Sequence, residues 1–150
     1  MTSAVVESKP WSGGCVCGAV RYVSRGEPAR VTVCHCLWCQ RRTGTAFGTE
    51  VVFAVEQLEF SGIEPGSYRH VPNEAGRWLE VYFCPRCGSN MGFTLEAGPG
   101  LRTVPAGTLD DPGALDPALT KFRHVFARSR RSWGDITAEV EAYERHFRDE

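Results

Sequence analysis

Seven cysteines carry the chemistry this sequence can do, and their spacing sorts them into three groups. GGCVCG holds Cys15 and Cys17, VCHCLWCQ holds Cys34, Cys36 and Cys39, and FCPRCGS holds Cys84 and Cys87. The Cys-Pro-Arg-Cys-Gly run reads as a zinc knuckle. Two residues between ligands let a tight turn aim both sulfurs at one ion, and Gly88 permits that turn and lets backbone N–H groups approach the thiolates. A knuckle supplies two ligands, and a tetrahedral structural site needs four. Cys15 and Cys17 are the natural second pair. In an extended strand alternate side chains share a face, so both sulfurs point one way while Val16 points the other. The expectation is a closed four-cysteine zinc site of Cys15, Cys17, Cys84 and Cys87.

Cys34, Cys36 and Cys39 remain, with no obvious fourth partner. Three protein ligands and one open position is the donor set of a catalytic zinc. A soft, thiolate-ringed ion accepts a further thiolate readily, so the expected visitor is a small thiol. Three thiolates on a dication leave the centre with a net negative charge. That weakens it as a Lewis acid and favours delivery of a thiol over activation of water. A rearranged pairing, in which this cluster donates to the knuckle, stays open. Redox cysteines without metal are disfavoured, because a redox CxxC normally opens a helix after a strand. Inert core cysteines are disfavoured by the regular spacings. His35 faces away from Cys34 and Cys36 in an extended segment, so packing or support of a ligand is expected of it before ligation.

The elements that must position these groups are mostly strands. At 150 residues the chain is read as one domain, 1–150, long enough to bury a core without cross-links. A formal net charge of −1 argues against nucleic acid or an anionic membrane as partner. The N-terminus shows neither the basic nor the apolar stretch of a signal peptide, and no apolar run is long enough to span a bilayer. A cytoplasmic location is expected, where reduced thiols serve metals or catalysis. Runs at 18–24, 46–60, 77–83, 89–95, 101–109 and 123–129 are rich in β-branched and aromatic residues and bounded by Gly, Pro and Asp. They predict an antiparallel, mainly β domain. A short helix is expected after Cys36. A C-terminal helix is expected from the apolar stripe of Ile136, Val140, Tyr143 and Phe147. Glu50, Glu56 and Glu59 are assigned to an exposed strand face. Lys121, Arg123, Arg128, Arg130 and Arg131 form a basic cluster near a β-run, where a nucleic-acid surface is disfavoured by the near-neutral overall charge and the lack of a binding motif. Trp38 and Trp133 line a substrate pocket or pack.

With these residues assembled, the chain resembles the glutathione-dependent formaldehyde-activating enzyme (GFA) family. The resemblance rests on GGCVCGAVRY (13–22), CHCLWCQRRTGTAF (34–47), FCPRCGS (83–89), AGTLDDP (106–112) and RHVFARSRRSW (123–133), a motif-bearing core of about 13–133. It implies a β-tent, two antiparallel sheets pinned by a structural zinc at Cys15, Cys17, Cys84 and Cys87. It implies a second zinc at Cys34, Cys36 and Cys39, hence two zincs per chain, with glutathione as co-substrate. The implied reaction joins formaldehyde to glutathione as S-(hydroxymethyl)glutathione, formally carbon–sulfur lyase chemistry. The implied partners are a small thiol and an electrophile such as an aldehyde, with no nucleic acid and no membrane. Glutathione carries two carboxylates, which makes Arg41 and Arg42, with the backbone N–H groups of Thr43 and Gly44, its candidate contacts. The rival reading is a non-catalytic, zinc-stabilised module that binds a thiol or a partner. Spacing ties no Tyr, His or Asp to the 34–39 cluster, and the oligomeric state is left open.

Overall fold

The computed structural model describes residues 11–71, 76–111, 113–118, 120–135 and 141–145. Among them, strands form three sheets. The first sheet orders β1 (Trp11–Gly14), β2 (Val20–Ser24) and β5 (Leu58–Gly62). The second places β10 (Phe122–Val125) beside β3 (Arg30–Cys34), then β4 (Gly48–Ala54) and β9 (Leu101–Pro105). The third is β6 (Gly66–His70), β7 (Leu79–Phe83) and β8 (Asn90–Leu95). One α-helix, α1 (Leu37–Thr43), follows β3. No helix among the described residues is long and apolar enough to cross a membrane.

The mainly β expectation holds, and its details shift for physical reasons. The long run at 46–60 is two strands in two sheets. A 3-10 turn at Val55–Gln57 breaks it, and the Gln57 side-chain oxygen accepts the Ala54 N–H at 3.3 Å. The two expected sheets are three because β8 crosses β9 without sharing a ladder. Gly92 has φ +81°, and a Cβ there would lie 2.0 Å from the Thr103 carbonyl oxygen. The backbones therefore press together, and Phe93 N–H donates to Thr103 Oγ1 at 3.0 Å instead. The last strand also departs from the antiparallel pattern. β10 runs parallel to β3, with Phe122 opposite Val31 and Val125 opposite Cys34. A parallel neighbour needs a long crossover, which the intervening chain supplies. The expected C-terminal helix falls largely outside the described residues; of its stripe only Tyr143 lies within them.

The core decides where the cysteines go. Val20, Tyr22, Val31, Val51, Phe53, Met91 and Val104 are fully buried, and Cys15 and Cys84 belong to the same cluster. Each such apolar side chain stabilises the fold by about 1.5–3 kcal/mol. The AGTLDDP segment latches onto the first sheet. Thr108 Oγ1 lies 2.7 Å from the Tyr22 hydroxyl, and Arg21 Nη1 donates to Asp110 Oδ1 at 2.9 Å. Arg21 and Ser12 together hold the Asp110 carboxyl down to about 2.

Candidate metal centres

The first centre is built by two turns. β1 ends at Gly14, and Cys15 opens a turn in which its carbonyl accepts the Gly18 N–H at 3.0 Å. The sulfurs of Cys15 and Cys17 therefore converge through a turn, and not through strand alternation as expected. Gly18, at φ +78°, takes the left-handed position that such a turn needs. Cys84 follows β7 in the same way, with Gly88 N–H on its carbonyl at 2.8 Å and Gly88 at φ +75°. Ser89 joins the turns: its Oγ accepts the Val16 N–H at 3.2 Å and lies 3.2 Å from Cys87 Sγ.

The four sulfurs lie within 4.8 Å of one another, with Cys15–Cys17 at 3.6 Å and Cys17–Cys84 at 3.8 Å. Zinc–sulfur bonds of ~2.3 Å in a tetrahedron put sulfurs about 3.8 Å apart. A disulfide would need ~2.05 Å. The geometry fits one shared cation. Cys15 Sγ also accepts the Val20 N–H at 3.2 Å, a bond that favours a thiolate. The Ser89 hydroxyl and backbone N–H groups pull Cys87 down to about 5.

The second centre straddles the end of β3 and the start of α1. Cys34 closes β3 opposite Gly48 of β4. Cys36 is the N-cap of α1, and its sulfur accepts the Cys39 N–H at 3.3 Å. Cys39 is buried one turn on, and Gly44 ends the helix at φ +70° with its N–H on the Gln40 carbonyl. The three sulfurs lie within 4.8 Å of one another. Hydrogen bonds from Cys34 and Cys39 pull Cys36 down to about 2, and the same contacts push Cys34 and Cys39 up. A dication in their midst would favour three thiolates. No fourth His, Cys, Asp or Glu among the described residues joins this group.

His35 does not complete it. It is 2% exposed, with its Nε2 2.9 Å from His124 Nδ1 and its ring stacked on that of His124. Burial lowers its pKa and keeps it neutral. Its Nδ1 is buried without a partner. A buried N–H without an acceptor is rarer than a bare lone pair, so Nε2 carries the proton and donates to His124. This is the packing role expected for it. We expect His35→Phe to cost about 1–3 kcal/mol in thermal denaturation and to leave the metal content unchanged. Loss of one ion per chain would instead make His35 a ligand.

The residues after Cys39 fall into different roles. Arg41 is exposed and remains a candidate contact for a carboxylate. Arg42 turns inward and pairs with Glu50, and both side chains are nearly sealed from solvent. Glu50 is therefore not on an exposed face as expected, although Glu56 and Glu59 are. Its second oxygen accepts from Thr103 Oγ1 at 3.0 Å. Thr43 Oγ1 donates to the Cys39 carbonyl at 2.8 Å, and the Gly44 N–H is used in the helix cap. Arg42 is thus turned away from solvent, and the Gly44 N–H is already engaged. Trp38 stacks on His70 at 5.7 Å between centroids and meets Phe93 edge-on. Tyr68 also stacks on His70, and Trp133 is 62% exposed. In the basic group Arg130 pairs with Asp135 and Arg131 donates to Gln40 Oε1 at 2.7 Å. Two of its members are thus used within the fold.

Two participants escaped the sequence reading. His70 reaches Trp38 from the third sheet, a neighbourhood no local spacing signals. Gln40 donates to the carbonyls of His35 and Ser129 at 2.8 and 3.0 Å, tying α1 to the chain after β10.

Fold and geometry define a small β-protein with two cysteine clusters, each suited to one metal ion. The model of the glutathione-dependent formaldehyde-activating enzyme family matches residues 10–129, and the chain belongs to that family. A Rhodobacter sphaeroides protein, known from a structural-genomics crystal structure, has a similar fold. It is 19% identical, with a TM-score of 0.54 over 75% of this chain and 99% of that one. Among curated proteins none matches significantly.

Proposed function

We propose that the protein is a zinc-dependent, glutathione-linked carbon–sulfur lyase or synthase. It makes or breaks a thiol–aldehyde adduct such as S-(hydroxymethyl)glutathione. The observation that carries this is the three-sulfur cluster at Cys34, Cys36 and Cys39, which no fourth His, Cys, Asp or Glu among the described residues joins. Family membership supports a glutathione-dependent reaction of formaldehyde in general. The whole chain acts as one unit, and its reduced thiols suit a cytoplasmic setting.

Cys34, Cys36 and Cys39 would hold the catalytic ion, and Cys15, Cys17, Cys84 and Cys87 a structural one. Zinc at the three-cysteine site would favour the thiolate of an incoming thiol and fix its sulfur. The chain's part is to leave that side unblocked. His35 is spent on His124, and Nη2 of Arg42 on Glu50. In the adduct-forming direction sulfur bonds to the carbonyl carbon, the C=O π pair moves to oxygen, and the thiol proton ends on that oxygen. The reverse breaks the carbon–sulfur bond. Arg41, exposed on α1, is the candidate partner for a glutathione carboxylate.

The test is exchange NMR on glutathione and formaldehyde at equilibrium. Zinc-loaded protein is expected to speed the interconversion with S-(hydroxymethyl)glutathione well above the uncatalysed rate. Glutathione binding with no acceleration would leave the non-catalytic module as the correct reading.

A further inference from the structure

Arg42 is an expensive residue to bury. Its side chain is only 6% exposed, and it lies over the ring faces of Trp38 and Phe93 at 5.3 and 5.0 Å. The pair with Glu50 uses only Nη2; Nε and Nη1 are buried without a hydrogen-bond partner. A buried guanidinium normally spends its donors, and leaving them unspent costs free energy. Anchoring α1 to β4 needs only the Glu50 contact, so something else must face the remaining N–H groups.

The helix says what that is. Cys39 and Arg42 are three residues apart on α1, which places them on one face. A Cβ on Gly48 would lie 3.0 Å from Arg42 Nη2, and Gly48 is the cross-strand partner of Cys34. The guanidinium thus sits between the Cys39 face of α1 and the strand beside Cys34. The Glu50 carboxylate is engaged on both oxygens, by Arg42 Nη2 and by Thr103 Oγ1.

We infer that Arg42 is a positioning residue for the three-cysteine centre, directing its unspent N–H donors at the Cys39 sulfur. This rests on the proposed metal at Cys34, Cys36 and Cys39. Charge-assisted N–H···S contact draws electron density from a thiolate. Cys39 is thereby a weaker donor and a weaker nucleophile than an incoming thiol, which has no such partner. An aldehyde or other electrophile is then drawn to the substrate's sulfur in preference to Cys39. Arg42 accounts for selectivity between Cys39 and the substrate's sulfur.

The experiment uses cobalt(II) in place of zinc, with Cys36→Ser as the reference that isolates the four-cysteine site. Wild-type protein should take two cobalt ions. Arg42→Met/Glu50→Gln removes the donors without stranding a buried carboxylate. Its thiolate-to-cobalt charge-transfer band should move to longer wavelength. Iodoacetamide should alkylate Cys39 about tenfold faster, the sulfur displacing iodide, as mapped by mass spectrometry. Glu50→Gln alone should leave both readouts at wild type. Arg42→Lys, which keeps the charge but not the planar donors, should shift both in smaller measure, and it serves if the double variant does not fold. An unmoved band and unmoved alkylation in a folded Arg42 variant would overturn the inference and reduce Arg42 to a structural anchor. A wild-type chain that binds only one cobalt would overturn the underlying reading as well.

Discussion

Cys84→Ser is expected to lose the four-cysteine metal and, with it, a stable fold. Cys84 is fully buried and shares the core cluster with Cys15. The two turns it helps to join leave β1 and β7, strands of different sheets. Apparent binding free energies for structural zinc run to ~10–16 kcal/mol, and a whole domain is stable by only ~5–15 kcal/mol. One lost thiolate therefore removes an amount comparable to the entire stability. Serine offers no soft donor and leaves a buried hydroxyl short of a partner. The checks are zinc per chain and a thermal melt followed by circular dichroism. A strong chelator should bring wild-type protein to the same state. If Cys84 were merely a buried thiol, the change would cost about 1–3 kcal/mol. At ~2–4 °C per kcal/mol for a chain of this size, that is a shift of roughly 2–12 °C. A variant with such a shift and undiminished zinc would remove the closed site from the account.

The partition of the cysteines was legible because ligand spacing is local. Cys84 and Cys87 meet within one turn, as do Cys15 and Cys17, and Cys34, Cys36 and Cys39 lie at one strand–helix junction. What joins the first two pairs is tertiary. It could be proposed only because a zinc site needs four ligands, and the structure brings their sulfurs within reach of one ion. Strands with a clear apolar face, such as β2 with Val20 and Tyr22 buried and Val23 exposed, were legible by alternation. β1 and β6 were not. WSGG and GSYRH carry too little apolar content to mark a strand, and they pair because their neighbours present edges to them.

Glu50 shows the limit more sharply. Strand periodicity says which residues share a face, but not which face will be covered. β4 is packed on both sides, so Glu50 is sealed in with Arg42 arriving from α1. The sequence placed Arg42 at a ligand because a cation next to a cysteine motif suggests an anion site. The fold gave it an internal anion instead. His70 and the parallel β10 were hidden for the same reason. Each depends on a contact between segments far apart in the chain, and no periodicity records that.

Cys36→Ser is expected to separate chemistry from folding. Cys36 is half-buried, lies outside the main core cluster and caps α1 through its sulfur. Serine is among the best N-caps, so its hydroxyl can take over the contact to the Cys39 N–H and keep the helix start. The fold and the four-cysteine centre should survive, and the melting temperature should change by no more than a few degrees. The second centre, with two thiolates left of three, should lose its ion, and metal content should fall from two per chain to one. Without the ion nothing fixes an incoming thiol. The glutathione–formaldehyde exchange rate should then drop by roughly a hundredfold or more, since positioning alone is worth that much. Metal analysis, circular dichroism and exchange NMR on one preparation give all three readings. Retained acceleration with one ion per chain would mean that the reaction runs elsewhere. Unchanged glutathione affinity with lost acceleration would confine the metal to the chemical step and leave recognition to groups such as Arg41.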